Sequence, residues 1–191
     1  SAKPYKILRE AALSADEIAD TLADNMRLIG ITGGTGSGKT TALDVLRDLG
    51  ALVIDCDALY HELLDNSAEL VADIAAEFPT AVTDGKVDRK ALGEIVFTDA
   101  AKLLKLNNIT HFAIGREVRR LMRAWAMQGG TLVAIDAIEL ISSGLSKRCF
   151  ATVGVVADRE VRLARIMARD GVSAEYAEKR ISAQHTDDYF A

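Results

Sequence analysis

The chain has 191 residues, 49% hydrophobic and 27% charged, with a formal net charge of -5. That length can bury a real core in one α/β unit with an inserted or appended subdomain, and the acidic balance argues against a generic nucleic-acid surface, which needs a basic stripe. No stretch approaches the ~20 apolar residues that cross a bilayer, and the N-terminus lacks the apolar core of a signal peptide; Cys56 and Cys149 are too few and too far apart for a disulfide framework or a metal cluster, so buried thiols in a reducing cytoplasm are expected.

Residues 1–26 are expected to form a helical extension. Ser14 and Glu17 make a capping-box pattern, and Ile18 and Leu22 fall on one face behind it. No polar groups converge there, so the expectation is a packing or partner-contact helix.

Leu28-Ile29-Gly30-Ile31-Thr32 reads as a buried strand, and 39–49 as a helix with Leu43, Leu46 and Leu49 at helical spacing. Between them runs Gly33-Gly34-Thr35-Gly36-Ser37-Gly38-Lys39-Thr40, a phosphate-binding loop in its required strand-to-helix setting. The glycines let successive N–H groups point into one concavity, where the helix N-terminus adds its positive potential. Gly34, Thr35, Gly36, Ser37, Gly38, Lys39, Thr40 and Thr41 are therefore the candidate site for a nucleoside triphosphate. Lys39 reaches the outer phosphates as a point charge, and the Thr40 hydroxyl completes the shell of a magnesium ion (Mg2+) bridging them. A turn that merely joined strand to helix would not need the Lys-Thr pair at that spacing.

A second strand at 51–54 ends in Asp55-Cys56-Asp57. In an open parallel sheet the carboxyl ends of the strands share one crevice, which puts both carboxylates on the side of the phosphate loop. One can take the proton of an acceptor hydroxyl while the other orients substrate or a magnesium-bound water. Either can instead cap a helix over Ala58 to Leu64.

The segment 58–130 is far longer than one crossover helix requires and reads as a mainly helical insert with its own job. Thr83-Asp84-Gly85-Lys86 marks a turn, Asp88 is placed to cap a helix from Arg89 to Phe97, and the longest helical pattern runs from Ala100 to Met127. His61 and His111 are isolated and not spaced for a metal, which leaves structural or substrate-phosphate roles.

The apolar runs 132–135 and 152–156 read as further buried parallel strands, completing a doubly wound core from 27–57 and 131–191. Asp136, ending the first of these runs, either sits near the magnesium ion or caps the segment beginning at Ala137. Arg159, Arg162, Arg165 and Arg169 follow on a helix, with Arg165 and Arg169 sharing a face. Such a row is either a solvated basic face or a lid, near 159–180, whose guanidinium groups close over a phosphate chain.

Taken in order, several segments resemble the dephospho-coenzyme A kinase family: Ile31 to Thr41; Val53-Ile54-Asp55-Cys56-Asp57; Gly85 to Gly93 with Val96-Phe97; Arg165 to Asp170; and Arg180-Ile181-Ser182-Ala183-Gln184. The resemblance spans roughly 27–188. It implies a doubly wound parallel sheet of the P-loop nucleotide-kinase type, an inserted helical domain for the coenzyme A moiety, and an arginine lid over ATP. It further implies transfer of the ATP γ-phosphoryl to the ribose 3′-hydroxyl of dephospho-coenzyme A, with Asp57 as general base. Asp55, Asp57, His61, Arg89 and His111 are then the acceptor-side candidates, and Arg165 and Arg169 the lid residues. The chain departs from the family pattern at His61, where arginine is usual, at Phe112, where proline is usual, and at Ser142, where glutamate is common. A neutral imidazole offers one hydrogen bond in place of arginine's fork, so the acceptor phosphate would be held differently. The family also leads one to expect a further strand and helix after Gln184. Other readings are another phosphate-loop kinase of a nucleotide or small metabolite, and a family member that has kept ATP binding and lost catalysis. A nucleotide-dependent switch is disfavoured by the lack of an Asp-x-x-Gly motif after the second strand and of an Asn-Lys-x-Asp motif.

Overall fold

The computed structural model describes residues 4–9 and 12–190, so residues 1–3, 10 and 11 of the expected N-terminal extension lie outside the described residues. In chain order the regular elements are α1 (Ala15–Asp24), β1 (Arg27–Thr32), α2 (Lys39–Asp48), β2 (Leu52–Asp55), α3 (Cys56–Asn66), α4 (Ala68–Glu77), β3 (Val82–Thr83), β4 (Lys86–Val87), α5 (Arg89–Val96), α6 (Ala100–Met127), β5 (Leu132–Asp136), β6 (Ala151–Gly154), α7 (Arg159–Asp170), α8 (Ala174–Ser182) and α9 (Asp187–Phe190). The chain divides into two compact units, one of Ser1–Asp55 with Met122–Ala191 and one of Cys56–Leu121.

The first unit is built on a parallel sheet in the order β2-β5-β1-β6. From β1 the chain steps out to β2, returns to β5 between them, and then crosses to the far side of β1 for β6. Strands that follow β1 in the chain thus lie on both sides of it, and such a reversal of winding opens a crevice at the carboxyl ends of the strands. Central β5 is buried on both faces: Val133, Ala134 and Ile135 are fully enclosed, as the apolar run requires of an inner parallel strand. Ile31, Leu43, Ala51 and Ala134 join β1, α2 and β5 in one cluster. The fourth strand departs from expectation. β6 is parallel to β1, but its four residues are exposed rather than buried, because it is an edge strand with β1 as its neighbour in the sheet. Its apolar run continues to Val156, yet the strand ends at Gly154, after which Val155 N–H donates to the Thr32 carbonyl at 2.8 Å.

α1 begins where its cap dictates. Ser14 Oγ accepts from the Glu17 N–H at 3.2 Å while the Glu17 carboxylate accepts from the Ser14 N–H at 2.8 Å, and Ala19 and Ala23 are buried. Residues 4–9 have no regular structure, and the Tyr5 N–H donates to the Met127 carbonyl at 2.7 Å. Arg123 pairs with Asp16 and, at 3.6 Å, with Asp20, tying α1 to the last turns of α6.

The second unit has its own core of Leu64, Leu70, Ile74, Phe78, Ala81, Leu92, Val96, Leu106 and Ala113. The turn at 83–86 closes the β3–β4 hairpin, with Asp84 and Gly85 at φ of 50° and 71°. Asp88 caps α5, its carboxylate accepting from the N–H groups of Lys90 and Ala91, both at 3.0 Å.

Candidate active site

The loop after β1 can form only because glycine stands at its bends. Gly33 has φ 142°, and a Cβ there would lie 2.2 Å from the Val155 carbonyl oxygen; Gly36 has φ 75°, and a Cβ there would lie 2.8 Å from the Arg162 carbonyl oxygen. Gly38 begins α2 without any side-chain cap, and α2 carries no acidic residue in its first turn. The first N–H groups of the helix therefore remain for a ligand, in a region of positive potential. Ser37 Oγ is buried with no hydrogen-bond partner among the described residues, and Lys39 Nζ donates to the Gly33 carbonyl at 2.9 Å, folding the ammonium back over the loop. Uncapped amides, an orphaned hydroxyl and an ammonium are the complement of a phosphate chain. Thr40 and Thr41, the second and third residues of α2, are exposed.

Side chains remote in sequence hold the outside of the loop. Arg162 on α7 is 3% exposed and donates from Nε to the Thr35 carbonyl at 3.0 Å. Gln184, just beyond α8, accepts the Thr35 N–H at 2.7 Å. Arg165 donates from Nη1 to the carbonyls of Gly36 and Ser37, at 3.2 and 3.0 Å. Sequence reasoning passed over Arg162 and Gln184 as loop contacts. One signal was available: Arg162 lies one turn before Ile166, which is fully buried, and so shares the inward face of α7. Arg169 is bound elsewhere, with Nε 2.7 Å from Asp170 Oδ1 and Nη2 3.0 Å from Oδ2. Arg180 binds the same carboxylate at 2.5 Å, and these hydrogen-bonded guanidinium groups lower the Asp170 pKa to about 2.

Two of the acidic candidates belong with the loop. Asp136 ends β5, in register with Ile31 of β1 on one side and with Asp55 of β2 on the other. Both acidic residues therefore stand at the carboxyl edge of the sheet, where the loop leaves it. Among the described residues no group of three or more His, Cys, Asp or Glu side chains is arranged to hold a metal.

The remaining candidates belong to the second unit. Asp57 is an exposed residue of the first turn of α3; because Cys56 enters the helix directly from β2, Asp57 lies inside the helix and is not its cap. His61, one turn further on, is exposed. Arg89, the first residue of α5, donates to Asp65 at 2.8 Å and to the His61 carbonyl at 3.5 Å, so that α3 and α5 gather these three residues. His111 is exposed on α6, beside Phe112, whose ring lies under the Arg116 guanidinium at 5.5 Å. Ser142 donates to the Glu139 carbonyl at 3.2 Å. The structure thus groups the loop, Lys39, Arg165, Asp55 and Asp136 in the first unit, and Asp57, His61, Arg89 and His111 in the second.

Comparison with known proteins gives a consistent result. A family described as Dephospho-CoA kinase matches residues 27–189, beginning at the first residue of β1. A protein named Dephospho-CoA kinase from Geobacter sulfurreducens is 41% identical over 162 residues, covering 83% of this chain and 82% of its own length. One of the same name from Thermobifida fusca is 38% identical over 161 residues, covering 83% and 80%. Among solved structures, TT1252 from Thermus thermophilus matches with a TM-score of 0.69 and 35% identity over 86% of this chain and 83% of that one. The dephospho-CoA kinase from Campylobacter jejuni matches with a TM-score of 0.54 and 27% identity over 82% and 79%.

Proposed function

The chain belongs to the dephospho-CoA kinase family, and from that premise we propose that it transfers the γ-phosphoryl group of ATP to the ribose 3′-hydroxyl of dephospho-CoA. The observation that carries this reading is the loop itself: an uncapped helix N-terminus, with Lys39 folded over it, following the central strand β1.

The roles follow from the charges that the reaction moves. The Asp57 carboxylate takes the proton of the 3′-hydroxyl as its oxygen bonds to the γ-phosphorus; the bond from that phosphorus to the β,γ-bridging oxygen breaks, and ADP leaves with the electron pair. Lys39 and the loop amides balance charge on the outer phosphates. Arg165 exchanges its carbonyl contacts at Gly36 and Ser37 for the transferring group, where a guanidinium meets spread negative charge best. Arg169 can join it over ATP only by giving up Asp170. Thr40 and Asp136 would hold Mg2+, a hard cation suited to hydroxyl, carboxylate and phosphate oxygen, which when bound neutralises charge on the phosphates. Asp55, His61, Arg89 and His111 are the acceptor-side groups, the second unit is the substrate-binding domain, and α7 and α8 form the lid.

Among the described residues no helix is long and apolar enough to cross a membrane. Neither Cys56, which is buried, nor Cys149, which is only half-buried rather than buried as expected, forms a disulfide, which suits a reducing compartment, and we place the enzyme in the cytoplasm with dephospho-CoA as its small-molecule partner. A coupled assay of ADP release over a panel of acceptors tests the proposal. Turnover with dephospho-CoA well above ATP hydrolysis is expected; turnover with another acceptor and none with dephospho-CoA would refute it.

A further inference from the structure

Thr35 is the joint of the phosphate loop, and both of its backbone polar groups are held by side chains. Its N–H donates to Gln184 Oε1 at 2.7 Å, its carbonyl accepts from Arg162 Nε at 3.0 Å, and Arg162 Nη2 donates to the same Gln184 oxygen at 3.4 Å. The three groups close a ring. Thr35 and Arg162 are both buried, at 9% and 3% exposure. Space for the guanidinium exists only because residue 34 is glycine, since a Cβ there would lie 2.2 Å from Arg162 Nη2. Arg162 and Gln184 come from either end of the α7–α8 hairpin, which Ile166, Ala177 and Ile181 lock together.

We propose that Arg162 and Gln184 are positioning residues that set the phosphate loop in its nucleotide-binding shape before nucleotide arrives. The proposal rests on the reading that this loop binds ATP. Turning the backbone at Thr35 would break two hydrogen bonds and strand a buried N–H and a buried carbonyl, which is costly. A loop preset in this way spends less ordering free energy on binding. The clamp also commits the Thr35 N–H to Gln184, leaving the phosphate donors to begin after it. Since it holds the loop alike in the ground state and the transition state, its loss acts on nucleotide affinity and on KM for ATP rather than on kcat.

The test is calorimetric titration of the full chain with ADP for wild type, Gln184→Leu, Gln184→Glu and Arg162→Lys, beside steady-state kinetics with ATP. Gln184→Leu is expected to weaken ADP binding about tenfold and raise KM for ATP in parallel, with kcat within about twofold. Gln184→Glu keeps the acceptor oxygen and is expected to stay within about threefold of wild type. Arg162→Lys keeps the charge, loses the two-point fork, and should fall toward Gln184→Leu. Amide hydrogen exchange over 33–38 without nucleotide should speed up in Gln184→Leu and not in Gln184→Glu. Unchanged ADP affinity in Gln184→Leu and Arg162→Lys, or a loss confined to kcat, overturns the proposal. If Gln184→Leu does not fold, Arg162→Lys against Gln184→Glu decides on the same criteria. Wild type that binds no ADP would refute the nucleotide reading itself, a result distinct from any difference among the variants.

Discussion

The phosphate loop and the helical unit hold their polar residues by opposite means. In the loop, backbone groups of Gly33, Thr35, Gly36 and Ser37 are met by Lys39, Gln184, Arg162 and Arg165, with Thr35 and Arg162 buried. In the helical unit, Arg89–Asp65, Lys105–Glu77 and Arg116–Glu69 are pairs of exposed side chains around a separate apolar core. Exposed pairs of this kind are screened by water and fix little on their own. The difference is in keeping with the parts proposed for the two units. Phosphates are alike in every nucleotide and suit a rigid backbone cradle, whereas an acceptor with a particular shape suits surface side chains that adapt.

The contrast can be broken most sharply at Asp57. Asp57→Asn should lower kcat by about 10³-fold and leave ADP affinity nearly unchanged, because the role proposed for the carboxylate is on the acceptor hydroxyl; equal losses in binding and rate, by titration and steady-state kinetics, would move Asp57 into the phosphate site. Arg165→Ala should cost about 10²-fold in kcat, with a smaller effect on ADP binding. Unchanged kinetics would leave Arg165 as a prop for the loop carbonyls alone.

A smaller effect concerns pH. The Asp170 pKa falls from 3.8 to about 2 through its hydrogen bonds to Arg169 and Arg180, so its contribution to stability is present above about pH 4 and is lost as pH falls toward 2. Asp170→Asn should therefore unfold at lower urea than wild type near pH 6, and the gap should close by about pH 2; a gap that widened in acid would contradict the pairing. Smallest of all, Lys105→Ala should shift the unfolding free energy by less than about 1 kcal/mol, as expected for an exposed pair. A larger loss in urea titration would mean that surface pairs do hold the helical unit.

What sequence could disclose follows the same division. The phosphate loop was readable because its chemistry depends on residue spacing within one short segment, and the α1 and α5 caps were readable because Ser14 and Asp88 act on groups three residues away or nearer. The clamp was not, since Arg162 and Gln184 lie 127 and 149 positions from Thr35 and no local pattern joins them. The exposure of β6 was hidden because an apolar run reads alike in a central and an edge strand. The helical start at Cys56 was hidden because β2 passes into α3 without a loop, so either Asp55 or Asp57 could be read as a cap. His61, Arg89 and His111, proposed as acceptor-side residues, came mainly from family resemblance. Single exposed side chains on separate helices carry no spacing rule.

The central claim is that a backbone phosphate cradle delivers a phosphoryl group to a ribose hydroxyl, and phosphorus NMR of the products tests it most directly. With ATP, Mg2+ and dephospho-CoA, the account predicts a new phosphomonoester resonance on the ribose 3′-oxygen, growing in step with ADP and about 10³-fold more slowly in Asp57→Asn. ADP accompanied only by inorganic phosphate, or a phosphate on any other oxygen, would contradict it.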